Sequence, residues 1–107
     1  MFFTPPPSAL VRAHFGEKPG VFGKIIFGMP GDIVEHRGAE VLVAGQVVAR
    51  MKRFTRRGER LEPGPVGAVP DGCFFVATPH ADGFDSRYAA IGFVCGRQIL
   101  GTGEALL

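Results

Sequence analysis

The chain has 107 residues, a formal net charge of +2, 46% hydrophobic residues and 21% charged residues, which suits one globular domain with a single core and excludes a disordered acidic or basic tail. The small charge argues against nucleic acid as a default partner, and no apolar run approaches the roughly 18–20 residues that span a bilayer. The 16 Gly and 9 Pro interrupt every stretch long enough for a helix, so the expected fold is mainly β.

In chain order, residues 1–20 combine Pro5-Pro6-Pro7 with Ala9-Leu10-Val11-Arg12 and predict an extended lead-in with one or two short helical turns. Residues 21–27 are β-branched and aromatic, a strand. Residues 28–31 turn the chain, and Asp32-Ile33-Val34-Glu35 begins the next strand. Val41-Leu42-Val43 and Gln46-Val47-Val48-Ala49-Arg50 flank Ala44-Gly45, a two-residue hairpin signal in which Gly supplies the positive φ of a tight turn. Residues 51–66 are polar, basic and rich in Gly and Pro, and are expected to form a flexible excursion. Val69-Pro70-Asp71-Gly72 reads as a turn, residues 73–77 as a buried strand, 78–83 as a loop and 91–100 as the last one or two strands. Turns so spaced predict a small antiparallel architecture, a coiled sheet or a partly closed barrel. Cys73 and Cys95 each fall in a predicted strand. If those strands pair, the alternatives are a disulfide suited to an oxidising compartment or two small buried hydrophobes.

The chemistry-bearing residues are few. Lys24 opens the apolar run Ile25-Ile26-Phe27. A lysine is a base only when neutral, and apolar surroundings can lower its pKa by up to ~3–5 units. Beside a serine hydroxyl, such an amine takes the proton as the oxygen attacks a peptide carbonyl; the plain alternative is a strand-end lysine in water. Gly28, Pro30, Gly31 and Asp32 suit a close turn in which the Asp32 carboxylate accepts backbone N–H bonds, and so would position Lys24. Asp85 and Arg87 stand two apart, on one side of an extended segment, with Ser86 between them. Of the two serines, Ser86 reads as a structural donor and Ser8, after three prolines, as a poor nucleophile. His14, His36 and His80 lack metal-ligand spacing, so no metal is expected. Arg50, Lys52, Arg53, Arg56, Arg57 and Arg60 make a basic stretch, read as a solvated arm or as a contact for an anionic membrane surface, with no nucleic acid.

The segment Gly23-Lys24-Ile25-Ile26-Phe27-Gly28-Met29-Pro30-Gly31-Asp32 resembles the lysine-bearing box of type I signal peptidases, and Phe84-Asp85-Ser86-Arg87-Tyr88 resembles their Ser-x-Asp-Ser-Arg box. The Asp-Ser-Arg-Tyr form, the hairpin around Ala44-Gly45 and the ending Ile99-Leu100-Gly101-Thr102-Gly103-Glu104 are most similar to the TraF-type conjugative transfer signal peptidases. The resemblance covers nearly the whole chain and implies the signal peptidase β fold for residues 1–107. It also implies catalytic roles for Lys24 and Asp85, no cofactor, and an extended precursor peptide as partner, met at the periplasmic face of the bacterial inner membrane. Two departures stand out. The family's nucleophile, a serine followed by Met or Leu and a Pro-Gly turn after a membrane anchor, has no counterpart here, so the nucleophile is unknown and the chain is expected to be an inactive soluble piece. Gly83 stands where the family carries a serine that hydrogen-bonds the lysine, leaving Thr78, Ser86 or water to orient Lys24. The rival expectation is a non-catalytic module that binds pilus or secretion subunits. A LexA-like self-cleaving domain is more distant, because it does not explain the Gly-x-Pro-Gly-Asp and Asp-Ser-Arg segments.

Overall fold

The computed structural model describes residues 2–3, 22–96 and 99–101. The helical turns expected before residue 20, Ser8 and His14 lie outside the described residues. Among the described residues, ten strands run in the order β1 (Phe2–Phe3), β2 (Phe22–Gly23), β3 (Ile25–Gly28), β4 (Ile33–Arg37), β5 (Glu40–Val43), β6 (Gln46–Arg50), β7 (Gly67–Ala68), β8 (Cys73–Ala77), β9 (Val94–Cys95) and β10 (Ile99–Gly101). They form three antiparallel sheets in the orders β10-β1-β2, β3-β8-β9 and β6-β5-β4-β7. The architecture is mainly β, as the sequence predicts, and the described sheets stay open rather than closing into a barrel.

The single strand expected over residues 21–27 is broken at Lys24. Before it, β2 pairs with β1; after it, β3 pairs with β8, Ile25 opposite Ala77 and Ile26 opposite Val76. Lys24 therefore sits where the chain passes from one sheet to another. The register then shifts so that Gly28 faces Phe75, a bulge of the kind that re-aims side chains next to functional sites. Gly28 is there because nothing larger fits: a Cβ would lie 2.8 Å from the Cβ of Phe75 and 3.1 Å from Val43 Cγ1.

β4, β5 and β6 form two consecutive hairpins, closed by Gly38-Ala39 and Ala44-Gly45. In the second, Ala44 has φ of 50° and Gly45 of 80°, the two positive values of a primed turn. The sequence reading provided for glycine alone; Ala44 enters the left-handed region as well, at a cost of roughly 1–2 kcal/mol. β8 is the strand buried on both faces, and its period-two alternation divides the core. Cys73, Phe75 and Ala77 pack with Val34, Val41, Val43 and Val69, while Val76 packs with Ile91 and Val94. Cys73 lies opposite Cys95 in the β8–β9 ladder, and the two form a disulfide. This selects the first of the two alternatives and ties the short β9 to the core strand.

Residues 51–66 are irregular, with Phe54 bridged to Arg60 across the tip and Phe54 56% exposed. Their stem is nonetheless packed. Leu61 is buried, the Lys52 amide donates to the Tyr88 hydroxyl at 2.9 Å, Gly64 N–H donates to the Arg87 carbonyl, and Ala89 N–H to that of Glu62.

Candidate functional site

The site is built outward from three consecutive residues with almost no solvent contact: Asp85 and Ser86 are 0% exposed and Arg87 is 1% exposed. Arg87 donates from Nε to Asp85 Oδ1 at 2.8 Å and from one terminal nitrogen to Asp85 Oδ2 at 2.9 Å, the two-pronged geometry that suits a guanidinium and a carboxylate. Two further bonds go to the carbonyl of Thr78 at 2.7 Å and that of Arg50 at 3.0 Å. Asp85 also accepts from the amides of Arg87 and Thr78, each at 3.1 Å. Both carboxylate oxygens and four of the five guanidinium N–H donors are engaged, the kind of bonding under which a buried ion pair can be held without a large net penalty.

Ser86 accepts a bond from the Val76 amide at 3.0 Å, and its own amide donates to the Val76 carbonyl. Buried and attached to β8 in this way, it has the structural place that the sequence suggested and no route to a substrate. The segment thus docks along β8, the strand to which β3 is also paired. This common neighbour brings the two sequence boxes together.

Lys24 is half-buried at the start of β3. Ile25 pairs with Ala77, which places Lys24 level with the start of the 78–83 loop and within the electrostatic field of the buried pair. Burial lowers its pKa below 10.5, Asp85 works against this by raising it, and Arg87 adds to the lowering. The two field contributions oppose each other because Asp85 and Arg87 carry opposite charges, and desolvation is the largest of the three. The amine therefore holds its proton less tightly than an ordinary lysine, the direction a base requires.

The Gly31 turn holds the other end of β3. Asp32 accepts from the Met29 amide at 2.9 Å, as expected of its carboxylate, and Gly31 has φ of 93°, a conformation that favours glycine. Pro30 occupies the turn itself, exposed. These residues shape the exit of the strand.

The structure also explains Gly83. A Cβ built there would lie 2.4 Å from Thr78 Cγ2, 2.7 Å from a terminal nitrogen of Arg87 and 2.9 Å from Asp85 Oδ2. The space a serine side chain would need is filled by the Thr78 methyl and the ion pair. The carbonyl of Arg50 as a fourth acceptor for Arg87 carries no sequence signal, since any residue supplies a carbonyl. Gly64 is a second glycine the sequence did not single out; a Cβ there would meet the Ser86 carbonyl oxygen at 2.3 Å.

Of the histidines, His36 lies on β4 and His80 in the loop before Asp85. Among the described residues no group of three His, Cys, Asp or Glu side chains is placed to hold a metal ion, and no helix is long and apolar enough to cross a membrane.

The family model described as signal peptidase, peptidase S26, matches residues 2–107. No curated protein and no solved structure matches the chain.

Gly83→Ser is expected to destabilise the fold by roughly 1–3 kcal/mol through overpacking, with Thr78→Ala relieving part of the loss. Urea unfolding of the single and double variants checks this, and a neutral or stabilising Gly83→Ser contradicts the geometry.

The pH dependence has a definite sign. With the Lys24 pKa lower in the folded than in the unfolded chain, the unfolded chain binds more protons between the lowered value and 10.5, so stability contributed at this position rises with pH across that window. Lys24→Met should therefore stabilise the protein most on the acid side, with the advantage shrinking as pH approaches 10.5. Unfolding midpoints compared pairwise across pH read this directly; a difference that does not vary with pH contradicts it.

Proposed function

Because the chain belongs to the signal peptidase family, peptidase S26, we propose that Lys24 is the general base of a serine-lysine endopeptidase that cleaves secreted precursors. The observation that carries this reading is a half-buried lysine in the field of the buried Asp85–Arg87 ion pair, where burial lowers the amine's pKa. In the proposed reaction a serine oxygen bonds to the scissile carbonyl carbon while its proton passes to Lys24 Nζ. The ammonium then returns that proton to the leaving amine as the peptide bond breaks, and water releases the acyl group from the serine in a second step.

Asp85 enters this proposal in a changed role. Buried, with both oxygens bonded, it is a positioning residue that holds Arg87 and the Thr78 amide in place, and its own pull on the Lys24 proton is opposed by Arg87. Gly28, Pro30, Gly31 and Asp32 set the path of the lysine strand. The substrate is proposed to be an extended peptide. β3 is an edge strand with β8 as its only neighbour among the described strands, which leaves main-chain groups for β-addition beside the base.

We assign the serine to an upstream segment outside residues 1–107, next to an anchor at the periplasmic face of the bacterial inner membrane. The TraF-like sequence features point to pilin or transfer-apparatus subunits as precursors. Arg53, exposed on the basic arm, suits an anionic lipid surface there, and the chemistry needs no cofactor.

One observation favours a second reading, a non-catalytic module that binds the same subunits: Ser86, the serine among the described residues, is buried and bonded to β8. A single experiment separates the two. Residues 1–107 alone should not cleave a precursor peptide. Joined in cis to an upstream serine-bearing segment they should, with Lys24→Ala lowering kcat by about 10²–10⁴-fold, the contribution of a positioned base. Peptide binding without cleavage in the joined form supports the module, and cleavage by residues 1–107 that survives Lys24→Ala overturns the assigned base.

A further inference from the structure

Between the basic arm and the loop leading into Asp85 lies a cavity of about 490 Å³. Leu61, Phe84 and Tyr88 give it an apolar floor, and Lys52, Arg56 and Arg57 supply cations along its wall. Leu61 and Tyr88 are buried, and the Phe84 and Tyr88 rings stack with centroids 6.0 Å apart, so the floor is a fixed surface. The cations are at the rim, where the Arg56 side chain is 85% exposed. Asp82 is the carboxylate of the lining. It accepts from Lys52 and, at 2.5 Å, from Arg56, which pins the arm across the cavity and leaves Arg57 outside the ion pair. The lining therefore carries an excess of two positive charges around an apolar interior. Neither Lys24 nor Asp85 lines it.

We propose that this cavity is a second peptide-binding site, which takes an apolar side chain flanked by carboxylates from an acidic segment of a partner protein. The apolar floor has no use for a phosphate backbone, and a chain with net charge +2 lacks the field that nonspecific nucleic-acid binding draws on. An aliphatic or aromatic side chain satisfies the floor, and neighbouring carboxylates meet the surplus positive charge, Arg57 outside the ion pair and the excess of Lys52 and Arg56 over the single Asp82 carboxylate. A peptide held here is tethered to the molecule while another part of the same chain reaches β3, which raises the local concentration at the edge strand. Binding at this site does not depend on proton transfer by Lys24, so it stands or falls separately from the peptidase reading.

The test is fluorescence anisotropy of a labelled hexapeptide, Gly-Asp-Leu-Phe-Glu-Gly, with residues 1–107. Binding should weaken about tenfold when Asp and Glu are replaced by Asn and Gln, in line with the loss of charge-assisted bonds, and by a similar factor when Leu-Phe is replaced by Gly-Gly. The double variant Arg56→Ala/Arg57→Ala, at exposed positions, should lose the preference for the acidic peptide. Equal affinity for the acidic and amide peptides overturns the proposal. So does tighter binding of a single-stranded oligonucleotide, or binding of phosphatidylglycerol vesicles with none of the peptide. The peptide series on the unaltered protein decides the matter even if the double variant fails to fold.

Discussion

The buried pairing of Asp85 with Arg87 is the interaction on which the rest of the site depends. A guanidinium at 1% exposure is tolerable because four of its five N–H donors meet an oxygen, two of Asp85, one of Thr78 and one of Arg50. Those acceptors belong to three separate parts of the chain, the Asp-Ser-Arg segment, the end of β8 and the end of β6. The pair therefore fastens the lysine strand's neighbour to the base of the arm. Removing one partner would strand the other charge away from water, at a cost of roughly 3–5 kcal/mol. Gly83 and Gly64 are consequences of the same packing, since each lies against atoms of this segment so closely that a methyl group would collide with it.

The pair has an electrostatic consequence as well as a mechanical one. A lone carboxylate beside Lys24 would favour the ammonium form and defeat a base. Joined to Arg87, the carboxylate's pull is opposed by a cation fixed to the same two oxygens, and burial is left to decide the protonation state. An acidic residue beside a catalytic lysine is in this arrangement compatible with a neutral amine. The residue that makes it so is the arginine.

Much of the fold was legible in the sequence because its signals are local. The Ala44-Gly45 hairpin and the Asp32 turn depend on neighbours a few residues away, and both formed, although Ala44 shares the positive φ expected of glycine alone. Cys73 and Cys95 were legible as a possible pair, and the antiparallel register of β8 and β9 made them one. What was not legible depends on distant contacts. The break at Lys24 arises because β1 and β8 compete for one strand from different sheets, and nothing in residues 21–27 announces either partner. Residues 51–66 read as an arm because they are charged and rich in Gly and Pro. Their anchoring by Tyr88, Arg87 and Asp82 comes from residues more than twenty positions downstream. At the site, Lys24, Asp85 and Arg87 were found through motif resemblance, whereas the reason for Gly83 required the coordinates of Thr78.

The most direct test of this account is the titration of Lys24 itself. The chain has three lysines, Lys18, Lys24 and Lys52, so ¹³Cε-labelled lysine gives a spectrum simple enough to follow each amine by NMR as pH is raised, with Lys24→Met assigning its signal. The account predicts that Lys24 loses its proton below 10.5, the ordinary value for a lysine. A Lys24 that titrates at or above 10.5 would mean that the Asp85 carboxylate, and not burial, governs the amine, and would contradict its assignment as a base.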